Sequence, residues 1–133
     1  MIGLDTNVLV RYFVQDDPAQ ASLATDVIES LTEQAPGFIA QIVLVELSWV
    51  LRQRYKVDKA HIVEVLQGLI GMRELVIEQV EVVARALRLY AGAHGDLSDC
   101  LIECNGQAAG CEYTLTFDAK AARSEGMRLL ASS

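Results

Sequence analysis

Four carboxylates stand where apolar runs end or helical patterns begin: Asp5, Glu46, Asp99 and Asp118. Met1-Ile2-Gly3-Leu4 leads into Asp5, and Thr6-Asn7 then opens the helical-looking Val8 to Phe13. Leu115-Thr116-Phe117 leads into Asp118, while Asp99 closes Asp96-Leu97-Ser98-Asp99. Glu46 lies within Ile42-Val43-Leu44-Val45-Glu46-Leu47, with apolar neighbours on every side and no Lys or Arg in the segment. A carboxylate buried there is costly without a cation or a proton, and a metal-centred site is the simplest resolution. Clustered carboxylates raise one another's pKa values unless a divalent ion neutralises them. An all-oxygen set with no Cys or His suits Mg²⁺ or Mn²⁺ rather than zinc. Such an ion activates water and stabilises charge on a phosphoryl group during in-line displacement, the chemistry of a metal-dependent nuclease.

Each acid also has a plainer role. Asp5 is equally placed to cap the first helix. Asp96 and Asp99 have the N-cap and N3 spacing of a capping-box variant, and for Asp96 the structural role is the better reading. Asp118 fits an ordinary turn. The four discriminate together better than any one alone.

The elements that must position them alternate between strand and helix, the pattern of a parallel sheet covered by helices. Strands are expected at Ile2 to Leu4, Phe38 to Ala40, Leu75 to Ile77, Tyr113 to Leu115 and Met127 to Leu130. A short helix should run from Asn7 to about Val14. Asp17 and Pro18 then cap and start a helix to about Glu33, with Leu23, Ala24, Val27, Ile28 and Leu31 as its apolar stripe. Helices follow over about Ile42 to Tyr55 (apolar face Val43, Leu47, Val50 and Leu51), from Asp58 through about Ile70, from Val80 to about Ala91, and from Asp96 to near Gly110. Gly92-Ala93-His94-Gly95 is expected to be a flexible connection, with His94 facing solvent. In a parallel sheet Asp5 and Asp118 leave from the same edge. Glu46 and Asp99, early in their helices, start there too, at the carboxyl edge where open α/β sheets bind ligands.

With 133 residues, no repeat and no linker, the chain is expected to form a single domain over 1–133. Its apolar share of 52% suggests a homodimer interface rather than a membrane segment, because the longest apolar stretch, Phe38 to Leu51, is interrupted. The N-terminus shows no signal-peptide pattern, and three cysteines without framework spacing suit a reducing cytoplasm. The net charge of −7 by itself argues against a nucleic-acid partner, an objection that weakens if several carboxylates gather around metal ions, and an acidic surface equally suits a basic partner protein, so net charge alone decides nothing.

Four stretches in order resemble the motifs of PIN-domain ribonucleases, most closely the VapC toxins of bacterial toxin–antitoxin pairs. They are Leu4-Asp5-Thr6-Asn7-Val8-Leu9-Val10-Arg11, Val45-Glu46-Leu47 with Trp49-Val50-Leu51, Asp96-Leu97-Ser98-Asp99-Cys100-Leu101-Ile102, and Leu115-Thr116-Phe117-Asp118. The resemblance covers essentially the whole chain. It implies an α/β, PIN-like three-layer fold with a central parallel sheet of about four or five strands flanked by helices. It also implies a catalytic quartet of Asp5, Glu46, Asp99 and Asp118 in a Mg²⁺-dependent endoribonuclease, with Mn²⁺ able to substitute. Asp5, Asp99 and Asp118 would hold the metal, and Glu46 would orient or deprotonate the attacking water. Thr6, Asn7, Asp96 and Thr116 would support the site. The implied partners are RNA, a cognate antitoxin and a second copy of the chain. Cys100 and Cys104 replace the alanine or other small residues usual in the family, and 119–123 lacks an aromatic often found there.

Arg11, Arg52, Arg54 and Lys56 are the basic residues best placed for RNA phosphates, and each is equally a solvated helix residue. The three cysteines lack a CxxC pair and a fourth ligand, and fit as small core residues. Two other functions fit less well. An aspartate-nucleophile phosphotransfer domain would need a second aspartate two residues after Asp5, where Asn7 stands. A catalytically silent interaction module would more often have lost one of the acids.

Overall fold

Leu75 to Ile77 and the two strands expected before it pair in parallel, and their carboxyl ends define one edge. The computed structural model describes residues 1–92 and 95–130. They form two compact units, Met1–Val80 and Glu81–Ser133. His94 lies outside the described residues.

In the first unit β1 (Ile2–Gly3), β2 (Gly37–Ile39) and β3 (Leu75–Ile77) lie in the order β1-β2-β3. The register sets Gly3 against Phe38, and Phe38 against Val76. A Cβ at Gly37 would lie 2.9 Å from Leu31 and 3.0 Å from Leu4, so glycine lets those leucines close over β2. β1 runs into α1 (Thr6–Val14), which stops at Gln15 in the left-handed region. α2 (Pro18–Ser30) starts as expected, with Asp17 accepting from the Gln20 N–H at 3.1 Å and Pro18 in the first turn. It ends three residues before Glu33, because Leu31 takes an extended conformation and turns its side chain into the core. Its buried face is Ala21, Ala24 and Ile28, whereas Leu23 and Val27 are exposed, contrary to the expected stripe. The small residues allow close packing, and at 100° per residue Leu23 and Val27 then fall outside that arc.

α3 (Gln41–Gln53) corrects a second expectation. Its buried face is Val43, Leu44, Leu47, Ser48 and Leu51, which leaves Ile42, Glu46 and Trp49 on the open face. Glu46 is therefore exposed, not buried among apolar neighbours. Apolar residues adjacent in sequence lie on other faces of a helix, so a carboxylate can stand between them and still reach water. α4 (Lys59–Gly71), capped by Asp58, buries Ile62, Leu66 and Leu69.

In the second unit α5 (Val80–Gly92) buries Val82, Val83, Ala86, Leu87 and Tyr90. α6 (Leu97–Ala108) buries Leu97, Cys100, Leu101, Glu103 and Cys104. β4 (Thr114–Thr116) and β5 (Met127–Leu129) pair in parallel, with Leu115 opposite Arg128. The Arg128 guanidinium stacks 4.0 Å from the centre of the Tyr113 ring beside this ladder. All five expected strands are present, hydrogen-bonded as a three-stranded and a two-stranded sheet. Strands of two or three residues offer few backbone groups with which to continue a ladder. Cys100 and Cys104 are buried as expected, and burial pushes the Cys104 thiol pKa up, but Cys111 is exposed. Among the described residues no helix is long and apolar enough to cross a membrane.

Candidate active site

Asp5 and Glu46 are joined through one residue. Asp5 is the N-cap of α1, its Oδ1 accepting from the Thr6 N–H at 2.8 Å. The buried Thr6 hydroxyl donates to Glu46 Oε1 at 3.0 Å. β1 delivers Asp5 to the carboxyl edge of the three-stranded sheet, and α3 starts from that edge after β2, so a parallel sheet joins residues 40 positions apart. The capping role and a functional role for Asp5 are compatible, because capping engages one oxygen only.

A third acid, Glu78, stands at this edge. Ala40, at the N-cap of α3, has no polar side chain, and Glu78 Oε1 accepts the Gln41 N–H at 2.9 Å instead. Glu78 follows β3 just as Asp5 follows β1, so the same strand-end rule applied to Leu75-Val76-Ile77 would have found it. It fixes the start of the helix that carries Glu46.

In the second unit Asp99 is N3 of α6 and Asp96 its N-cap. Asp99 Oδ2 accepts the Asp96 N–H at 3.2 Å, one arm of a capping box. Asp118 follows β4 and closes a turn, Oδ1 accepting from Lys120 N–H at 2.8 Å and Ala121 N–H at 3.4 Å. Its own N–H donates to Thr116 Oγ1 at 3.0 Å. Of the expected supporting residues, Thr6, Asp96 and Thr116 hold the acids or their backbone, while Asn7 makes no side-chain hydrogen bond among the described residues.

The four acids follow one pattern. Each commits one carboxylate oxygen to hydrogen bonding that orients the group, local for the three aspartates and long-range for Glu46, and the other accepts none among the described residues. A second oxygen with its lone pairs available, on an exposed or half-exposed acid, is what a hard cation requires. Among the described residues no three His, Cys, Asp or Glu side chains come together as a metal-holding group. Asp5 and Glu46 lie in the first unit, Asp99 and Asp118 in the second.

Asp99 also lines a cavity of about 370 Å³ within the second unit, with Arg88, Glu103, Lys120, Arg123 and Glu125 among its walls. Glu103 went unremarked in the sequence, although it lies one helical turn after Asp99. It is only 3% exposed.

Among the basic residues, Arg11 is engaged within the fold. Its Nη1 donates to Asp16 Oδ1 at 2.7 Å and its Nε to Gln20 Oε1 at 2.8 Å, while the Tyr55 hydroxyl donates to Asp16 Oδ2 at 2.9 Å. This network ties α1, the turn after it, α2 and the residues following α3. The Tyr55 hydrogen bond, reinforced by the Arg11 charge, holds the Asp16 carboxyl below its ordinary pKa. Arg52, Arg54 and Lys56 are exposed and form no ion pair among the described residues.

A family profile described as PIN domain matches residues 2–126. A VapC ribonuclease of Aquifex aeolicus (strain VF5) is 24% identical over 115 residues, which span 86% of this chain and 84% of the relative.

Proposed function

The chain belongs to the PIN-domain family, and from that premise we propose that it is a metal-dependent endoribonuclease, the toxin of a toxin–antitoxin pair. The observation that carries the proposal is the shared state of Asp5, Glu46, Asp99 and Asp118, each held by one oxygen with the other available. The name of the A. aeolicus relative supports the ribonuclease assignment.

Asp5, Asp99 and Asp118 would hold a Mg²⁺ ion, which Mn²⁺ would replace, because the donors are all carboxylate oxygens. The bound ion supplies activation of water and stabilisation of charge on the phosphoryl group. Glu46 orients the attacking water and accepts its proton on Oε2, while the Thr6 hydroxyl restrains Oε1. Thr116 and Asp96 fix the backbone beside Asp118 and Asp99, and Arg52 and Arg54 are open to RNA phosphates. The free thiols suit the cytoplasm as the working compartment. The whole chain acts as one PIN domain, paired with a second copy and silenced by an antitoxin. Exposed Leu23, Ile42 and Trp49 supply apolar surface for these contacts.

The test is cleavage of cellular RNA by purified protein. Asp5→Asn and Asp99→Asn, one from each unit, are each expected to lower the rate at least about 100-fold while leaving thermal melting close to that of the parent. EDTA should abolish cleavage and Mn²⁺ restore it. Cleavage by the Asn variants at the parental rate, or undiminished in EDTA, would rule the assignment out, and an inactive parent would favour a silent interaction module.

A further inference from the structure

The cavity beside Asp99 contains a group that the proposed cleavage chemistry does not use. Glu103 is 97% buried, lines this cavity and forms the wall shared with a neighbouring cavity of about 570 Å³. It makes no hydrogen bond or ion pair among the described residues. An ionised carboxylate can only accept hydrogen bonds. A Cβ on Gly126 would lie 2.8 Å from Glu103 Cγ and 2.9 Å from Cδ, so glycine just before β5 lets the backbone pass close to this side chain.

The cavity also carries Arg88, Lys120 and Arg123. Asp99, Glu103 and Glu125 line the same space, yet none of the three cations has a carboxylate within 4.0 Å among the described residues. The complement of such a site carries an anion for the three cations and adjacent N–H donors for one buried acceptor. A nucleotide has both. Its phosphate suits the arginines and lysine. Among RNA bases, guanine presents two neighbouring donors, N1–H and the N2 amino group, to the two oxygens of one carboxylate, whereas uracil presents one N–H between two carbonyls. At about 370 Å³ the space is at the small end of ligand pockets and suits one nucleotide rather than a run of them.

We propose that this cavity is a guanine-selecting nucleotide pocket for single-stranded RNA, with Glu103 reading the base and Arg88, Lys120 and Arg123 holding a phosphate. The RNA assignment rests on the ribonuclease reading. The pocket itself would give the proposed nuclease a preference for cutting beside guanine.

Titration of the full chain with GMP, AMP, CMP and UMP in EDTA tests this without metal or cleavage. GMP should bind about tenfold more tightly than UMP, the discrimination a bidentate base contact provides. Glu103→Gln, which faces a donor toward a donor, should erase that preference with melting unchanged. Glu103→Asp, which keeps the charge but withdraws it, should weaken GMP selectively. Arg88→Ala combined with Arg123→Ala should weaken all four nucleotides alike. A uridine pentanucleotide with one central guanosine should outbind its all-uridine counterpart. Equal binding of the four nucleotides, no binding, or a guanine preference that survives Glu103→Gln would overturn the proposal. So would a preference confined to free nucleotides, or displacement by an arginine-rich peptide that GMP cannot match. If the parent chain cleaves no RNA, the ribonuclease reading fails while the mononucleotide pattern stands.

Discussion

Single carboxylates here do two jobs at once. Asp5 caps a helix, Asp99 closes a capping box and Asp118 closes a turn, and each retains an oxygen for other chemistry. Structural and functional readings of an acid therefore do not compete when the bonds are counted by oxygen rather than by residue. Asp16 shows the opposite case, with both oxygens committed to Arg11 and Tyr55. Because these contacts lower its pKa in the folded state, its stabilising contribution is complete above its unfolded pKa of about 3.9 and is lost as pH falls through the lower folded value. Melting temperatures followed from about pH 5 to pH 3 should thus drop more steeply for the parent than for Asp16→Asn. Parallel curves would show that the network does not couple to proton binding.

The elements decide where those side chains point. α3 has an alanine at its N-cap, so its start depends on Glu78 from the next strand. Glu78→Ala should cost about 1 kcal/mol, the usual loss on removing a cap, while Glu78→Gln should retain most of it through the amide oxygen. Denaturant midpoints check this, and an Ala variant as stable as the parent would leave the capping bond without energetic weight. The same helix shows how far periodicity carries. Its length and polarity are legible in the sequence, but the exposure of Glu46 is not, because flanking apolar residues suggest an apolar site. Rotating the helix to bury Leu44 and Ser48 instead puts Glu46 beside Thr6. In α2 the small residues Ala21 and Ala24 won the buried face over Leu23, which hydrophobicity alone would not have chosen.

At the scale of the whole molecule, each of the two compact units carries two of the four acids. The exposed apolar residues Leu23, Ile42 and Trp49 and the 52% apolar composition are consistent with a further surface being covered. Sedimentation of the isolated chain should give a mass twice 14.6 kDa. A monomer at all accessible concentrations would assign that apolar surface to another partner. The net charge of −7 does not describe every part of the surface, because one cavity is lined by Arg88, Lys120 and Arg123 together with three acids.

What the amino-acid order determined by itself was the set of local signals: strand ends that terminate in Asp5 and Asp118, the Asp17-Pro18 start of α2, and the family motifs. Each depends on residues within a few positions of one another, where backbone geometry and capping chemistry act directly. Only the tertiary structure decided that Thr6 links Asp5 to Glu46, that Glu78 holds α3, that Arg11 belongs to a structural network and that Glu103 is buried facing a cavity. Those outcomes depend on which face of a helix is buried and which strand lies beside another. Packing settles both, between residues far apart in the chain.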